Sequence, residues 1–452
     1  DATSVIPAVS TNIGGFAGSF NWGPVEEIKT VGSESELAEH FGTPDDSTAK
    51  YFLTAAAFLK YGNALKVVRV LSGHDNATGD GSGQLIKNKD DYDNNYANGS
   101  LSKGDWVAKY PGVLGNSLKV SVISQGISSF SGWTYAGSFD SAPGTSDYAI
   151  SIGKSGANDE LHVAVIDEDG LLTGTAGTVL ETFAYVSQGS DAKKSDGTTN
   201  YYKEVINNNS KYIWWTDHNT NLAEAGSLIS SVAGNSFTTH TGAMEASLAG
   251  GSDDNAPTAG EILLGYDLFE DAETVDVNLI MAGTSPAGTD GTAHAAAIID
   301  LAETRKDMVA FISPRRADVV GVTSGATQTT NVKTFFDGLA SSSYAVFDSG
   351  YKYMYDKYSD VYRFVPLNGD MAGLCANTDN VADPWFSPGG YNRGQVRGAV
   401  KLAYNPTKPQ RDILYPARVN PVVTFPGQGT VLFGDKTALS RPSAFDRINV
   451  RR

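Results

Sequence analysis

The chain has 452 residues, 40% hydrophobic and 10% aromatic, which is a globular composition and more length than one core usually holds. A formal charge of −17 argues against a general nucleic-acid binder, and the single cysteine, Cys375, excludes an intrachain disulfide framework and fits a reducing compartment. No run approaches the roughly eighteen apolar residues of a membrane span, and the opening DATSVIPAVST lacks the charged and apolar regions of a signal peptide.

Residues 1–13 read as an extended polar arm. From Gly14 a strand-like run leads to the turn Trp22-Gly23-Pro24 and a second short strand over 26–31. Ser33 and Glu36 have capping-box spacing before a helix with Leu37 and Phe41 one turn apart, closed by Gly42 and Pro44. An amphipathic helix is predicted over 47–61, with Tyr51, Phe52, Ala55, Phe58 and Leu59 on one face. Gly62-Asn63 stops it, and LKVVRVL (65–71) is apolar enough to be buried on both faces, as parallel strands are.

The texture changes at Ser72. Gly, Asn and Asp dominate 72–104 (GDGSG, KDDYDNNYANGS), the composition of a loop or linker. Residues 105–250 read as short alternating strands, SLKVSVIS, DYAISIG, ELHVAVID and TVLETFAYVS, with Asp169-Gly170 marking a hairpin. A helix-like piece at 201–211 precedes a strand at 212–215. Helical patterning resumes over 258–269, followed by strand 275–282, helix 292–305, strand 308–313, helix 329–340 and strand 344–347. This alternation predicts an α/β (α+β) core with a partly parallel sheet, assembled from 14–75 and 253–452. A β-rich outer domain, 76–252, is expected to be inserted into it.

Within the last third, residues 341–452 invert the charge. From Tyr391 to Arg452 eleven Lys or Arg face three Asp and no Glu, about +8, which leaves about −25 for residues 1–390. Tyr344, Tyr351, Tyr353, Tyr355, Tyr358 and Tyr362 crowd the same stretch. They fit either a strand pair whose rings pack inward or one whose polar tips face a partner.

Chemical candidates are few. Residues 429–437 (GTVLFGDKT) differ from a phosphate-binding loop by Asp435, which displaces Lys436 and puts a negative charge where phosphate would sit. Of the six histidines, His40, His74, His162, His218, His240 and His294, none stands four residues from another, and no His–Cys cluster exists. The acidic patches 80–83 and Asp253-Asp254 match no calcium loop, and no Gly-x-Ser-x-Gly elbow occurs. Cys375, within MAGLCA, reads as a buried small hydrophobe. Arg315-Arg316 fits an anion site or a salt bridge to a nearby acidic surface. No catalytic, cofactor-binding or metal residue is assigned. The cations of the basic segment, Arg397 and Lys401 among them, stand singly between Pro, Gly and aliphatic residues; docking onto the acidic part of another copy suits them better than nucleic acid does.

The stretches SGYKYMYDKYSDVYRFVPLNGDMAGLCANTDN, SPGGYNRGQ and VLFGDKTALSRPSAFDRINVRR resemble the tail sheath proteins of contractile-tailed bacteriophages. The similarity returns in GGFAGSFNWGPVEEIKTVGSESELAEHFGTP and YFLTAAAFLKYGNALKVVRVL, with WVAKYPGVLGNSLKVSVIS and ETVDVNLIMAG as islands between. The resemblance implies a structural, self-assembling subunit of a virion's contractile tail, built in the host cytoplasm, that stacks in rings around a tail tube and contracts without nucleotide. Its implied partners are further copies, the tube protein, and baseplate and tail terminator proteins, with no nucleic acid and no membrane insertion. The chain departs from the family pattern at both termini, opening without the usual Pro-Gly segment and stopping at DRINVRR, so linking arms are not expected of it. An α/β hydrolase or NTPase, and an extracellular adhesin or surface-layer protein, are the competing readings.

Overall fold

The computed structural model describes residues 12–99, 101–124, 130–222, 226–230, 237 and 242–452; residues 1–11 of the expected arm and His240 lie outside the described residues. The chain forms two compact units, Asp1–Ser72 with Asn255–Arg452, and Gly73–Asp254.

The first unit is organised by a seven-stranded sheet in the order Val419–Asn420, Ala345–Asp348, Val309–Ile312, Leu279–Met281, Gly14–Gly18, Leu65–Arg69, Ile28–Val31. Every neighbouring pair is parallel except the last, which is antiparallel. The strands are short runs of Val, Ile, Leu, Phe and Ala, and the central ones are buried along their whole length. This is the pattern of a sheet covered on both faces. The predicted strand over 275–282 contracts to Leu279–Met281, while the predicted helices at 292–305 and 329–340 begin four residues early, as Gly288–Arg305 and Gly325–Asp337.

Helix Ala49–Leu59 packs beside helix Asn368–Val381. The two backbones come close because Gly369 and Gly373 sit four apart: an added Cβ would stand 2.4 Å from the Thr54 carbonyl oxygen and 2.5 Å from the Tyr61 ring. Helix Ala49–Leu59 is not amphipathic as its pattern predicts; all its residues but Lys50 and Leu59 are buried, because the sheet and the second helix enclose it. Local signals fix the helix starts. The Ser33 hydroxyl accepts the Glu36 N–H at 3.2 Å, while the Glu36 carboxylate takes the N–H of Gly32, at 2.8 Å. Thr258 and Glu261 form the full reciprocal box.

The second unit holds a four-stranded antiparallel sheet in the order Thr178–Ser187, Glu160–Asp167, Leu118–Ser124, Met244–Ser247, and a two-stranded ribbon, Trp106–Ala108 with Ile213–Trp215. Two expectations fail here. DYAISIG is not a strand: Ser146 accepts the Ala149 N–H and starts the helix Asp147–Ser151. The loop-like 72–104 stretch contains the helix Lys89–Asn95, capped by the Asn88 side chain and burying Tyr92.

Candidate functional site

The tyrosine-rich stretch folds as the hairpin Tyr351–Asp356 with Val361–Pro366, extended by Lys401–Leu402. Its alternation is the reverse of the usual one. Lys352, Met354 and Asp356 point inward and are buried, while Tyr355 and Tyr362 are exposed. Tyr353, Tyr362 and Phe364 form an outward aromatic ladder, with ring centroids 5.4 Å apart for Tyr353–Tyr362 and 4.7 Å for Tyr353–Phe364. Tyr351 alone is fully buried, and Tyr358 packs edge-on against Phe52 and donates its hydroxyl to Glu34.

The inward face is held by a buried ion pair. Lys352 and Asp370 are both 0% exposed and lie 2.8 Å apart. The Tyr61 hydroxyl donates to the same carboxylate oxygen at 3.0 Å and accepts the Arg397 N–H at 2.6 Å; the ammonium also donates to the Arg397 carbonyl at 3.1 Å. Burial first, and Asp370 beside it, push the Tyr61 phenol far above its ordinary value. Four separate stretches of chain are thus tied at one point. A pair so placed is weak evidence for net stability, but leaving one member alone is costly.

A second buried carboxyl stands at the carboxyl end of the parallel strand Ala345–Asp348. Asp348 accepts the Ser313 hydroxyl at 2.6 Å and the Gly350 N–H at 2.8 Å, and burial pushes its pKa up to about 8. In open α/β sheets a ligand crevice lies beyond these strand ends. Here the start of helix Asn368–Val381 fills the position: Asn368 donates to the Gly283 carbonyl at 2.7 Å and to the Ser313 hydroxyl at 3.0 Å.

The other candidates resolve individually. Residues 429–432 form a strand paired with Val422–Phe425, so no flexible phosphate cradle exists there. Asp435 is bound by the Arg447 guanidinium, and the Lys436 ammonium lies 4.3 Å over the Tyr415 ring. Arg315 pairs with Asp318 of its own helix at 2.9 Å, rather than with a distant acidic surface, and stacks over Phe335; Arg316 opens the same short helix. Among the described residues no group of three or more His, Cys, Asp or Glu could hold a metal. His162 and His294 bond to backbone groups, His218 to Tyr201 and Tyr202, His74 lies 3.8 Å from Asp253, and His40 lies 3.9 Å from Glu36. Asp80 is held by Thr78 and Ser82, and Cys375 is a buried free thiol.

The basic segment is used differently from a bare patch of charge. Arg393 lies over Phe386, Arg397 over Tyr61, Lys401 over Tyr353, Arg411 over Phe425 and Phe433, Arg418 over Phe347, and Arg451 over Tyr344 and Phe445. Arg418 also donates to the carbonyls of Phe336, Leu339, Ala340 and Ala438. Lys408 and Arg441 carry no ion pair among the described residues. The same stretch also exposes apolar surface. Of the seventeen large exposed hydrophobic side chains among the described residues, twelve lie between Tyr355 and Val450, with Trp385 65% and Val400 63% exposed. Exposed apolar side chains in this number are the kind that meet another protein. The tyrosines and cations were legible in the sequence; the buried Lys352–Asp370 pair was not, and the only hint was a lysine alternating with tyrosines on a strand.

Comparison with known proteins places this architecture. Residues 13–70 match the family described as the N-terminal region of domain III of the Gp18 tail sheath protein, and residues 256–438 the phage tail sheath protein central domain. The tail sheath protein of Enterobacteria phage T4 is 31% identical, the alignment covering 98% of this chain and 81% of that protein. That of Vibrio phage KVP40 is 30% identical, covering 99% and 83%. The fold is similar to that of a sheath tail protein from Listeria innocua, with a TM-score of 0.54 at 12% identity over 97% of this chain and 73% of that one. The chain belongs to the phage tail sheath protein family.

Proposed function

We propose that the protein is a structural subunit of a contractile phage tail sheath, resident on the virion. Copies stack as rings around a tail tube in an extended state and contract to a lower-energy packing. The contraction drives the tube through the host envelope, and no nucleotide is consumed. Its partners are further copies, the tube protein, and baseplate and terminator proteins at the tail's ends. Residues 76–252 serve as a β-rich module inserted into the sheath core formed by 14–75 and 253–452.

The alignment with the T4 tail sheath protein over nearly the whole chain carries this reading. The outward aromatic ladder and the exposed apolar side chains of the last third support it, because monomeric proteins rarely leave such surface uncovered. Electron microscopy of the full-length protein at high concentration tests it. Tubes with a helical subunit repeat are expected; dispersed particles under every condition tried would count against it.

A further inference from the structure

The chain holds two Asn–Gly pairs, Asn98-Gly99 and Asn368-Gly369; every other asparagine precedes a residue with a side chain. Such a pair is chemically vulnerable, because no Cβ keeps the glycine nitrogen from the carbonyl carbon of the asparagine side chain. The two pairs share a sequence, and the fold treats them in opposite ways.

Asn368 is fully buried and its amide is bonded at both ends. Its Nδ2 donates to the Gly283 carbonyl at 2.7 Å and to the Ser313 hydroxyl at 3.0 Å, and its Oδ1 accepts the Gly283 N–H at 3.3 Å. Turning that side chain onto the Gly369 nitrogen would break all three bonds in a place where water cannot replace them. Asn98 is exposed, in the turn that follows the helix Lys89–Asn95. The Gly99 N–H is held by a long bond, 3.3 Å, to the Tyr96 carbonyl. Gly99 itself is tightly placed: its φ is +79°, and an added Cβ would stand 2.9 Å from the Trp215 ring.

We propose that Asn98 is a site of spontaneous deamidation that ages the unit Gly73–Asp254. The Gly99 nitrogen bonds to the Asn98 side-chain carbon, the bond from that carbon to Nδ2 breaks, and ammonia leaves with the proton that the Gly99 nitrogen gives up. Water then opens the resulting succinimide. Attack at the side-chain carbonyl gives aspartate; attack at the backbone carbonyl gives isoaspartate, with the chain rerouted through the former side chain. Either product adds a negative charge beside Asp90, Asp91 and Asp93. Isoaspartate also lengthens the backbone by about 1.5 Å, one carbon–carbon bond, directly before a glycine with no slack against Trp215. Trp215 is buried, pairs with Trp106 in the ribbon and accepts the Tyr92 hydroxyl on its carbonyl, so the strain falls on that ribbon. None of this depends on the sheath reading.

Incubating the full chain in oxygen-18 water at mildly alkaline pH, with peptide mapping over time, tests the site. The Asn98 peptide should exchange its amide for a carboxyl carrying oxygen-18, as a mixture of isoaspartate and aspartate, and faster as pH rises. The Asn368 peptide should convert at least about tenfold more slowly while the chain is folded, and the two rates should converge in urea. Asn98→Gln, whose longer side chain closes the ring far more slowly, should leave that peptide unchanged. Hydrogen exchange of the aged chain should show protection lost in Trp106–Ala108 and Ile213–Trp215, and retained in the equally aged Asn98→Gln chain. Conversion of Asn98 no faster than that of Asn368 in the folded chain, or aspartate without isoaspartate, would overturn the proposal. A ribbon still fully protected in chains that carry isoaspartate would overturn the ageing it assigns to this unit.

Discussion

The two units solve the same problem of burial by different means. In the sheet-bearing unit, Phe16, Phe52, Phe58, Leu279, Ile298, Phe311, Phe347 and Leu374 belong to one continuous core running through strands and helices alike. In the unit Gly73–Asp254 the buried apolar side chains line an antiparallel sheet and ribbon, Trp106, Val120, Val163, Val165, Tyr202 and Trp215 among them, with Tyr92 stacked on Trp214 at 4.5 Å. Polar locks fix the loops around them. Asp159 accepts the Ser187 hydroxyl and the Ser146 N–H, Asp167 binds Ser117 and Thr173, and Asp191 binds Ser227 and the N–H groups of Leu228 and Ile229. The loss of a core side chain is felt by many neighbours, while a polar lock that is lost opens its own loop.

The largest expected effects come from breaking each unit at its centre. Lys352→Met leaves the buried Asp370 without its cation and should cost about 3–5 kcal/mol, whereas Lys352→Met with Asp370→Leu should cost far less. Trp214→Ala should cost a similar amount, about 3–5 kcal/mol, but should loosen only the group around Tyr92, Ile86 and Val107. Peptide-resolved hydrogen exchange separates the two outcomes: protection lost across the sheet in the first case, and confined to Gly73–Asp254 in the second.

Individual carboxyls of the two units should also answer pH in opposite directions. The folded pKa of Asp348, about 8, lies above the unfolded carboxylate value of about 3.9, so the folded chain keeps a proton that the unfolded chain releases. Its contribution is full below about pH 4 and is lost as pH rises to about 8, by about 1.4 kcal/mol for each pH step between those two values. Asp167 and Asp191 behave in reverse. Burial pushes each carboxyl up, but its hydroxyl and N–H donors outweigh that and hold it below the ordinary range. Their contribution is present above about pH 4 and is lost as pH falls through the lowered values. Peptide-resolved hydrogen exchange from pH 9 down to pH 3 should therefore show protection around Asp348 rising first and protection around Asp167 and Asp191 falling last. Asp348→Asn should flatten the first response and leave the second intact.

The smallest effects should come from the outward face. Arg411→Ala removes cation–ring contacts over Phe425 and Phe433 and should cost about 0.5–1 kcal/mol. Tyr362→Thr keeps a strand-compatible residue at an exposed position and should cost less than about 1 kcal/mol in thermal unfolding. Side chains that contribute so little to folding are free to serve an interface.

The contrast between units also explains what the sequence could reveal. Between 258 and 347 each strand is an unbroken apolar run and the first helix opens on the Thr258–Glu261 box, so the α/β alternation was readable from local pattern. In DYAISIG the alternation of Tyr148, Ile150 and Ile152 imitates a strand, but the Ser146 cap decides for helix. Helix Lys89–Asn95 was hidden because only Tyr92 is buried on it. The period of the tyrosine hairpin was legible, yet the face that turns inward depends on Asp370, eighteen residues from Lys352. Sequence pattern gives the alternation; a distant partner decides its sense.

The central claim is that the last third of the chain presents its exposed aromatic side chains to other protein, not to water. Hydroxyl-radical footprinting of this chain, free and within assembled tails, tests it most directly. Tyr355, Tyr362, Trp385 and Phe445, all exposed in the single chain, should lose reactivity on assembly, while the equally exposed Leu171 and Ile150 of the other unit serve as the comparison. Undiminished oxidation of those four aromatic residues in assembled tails would contradict the account.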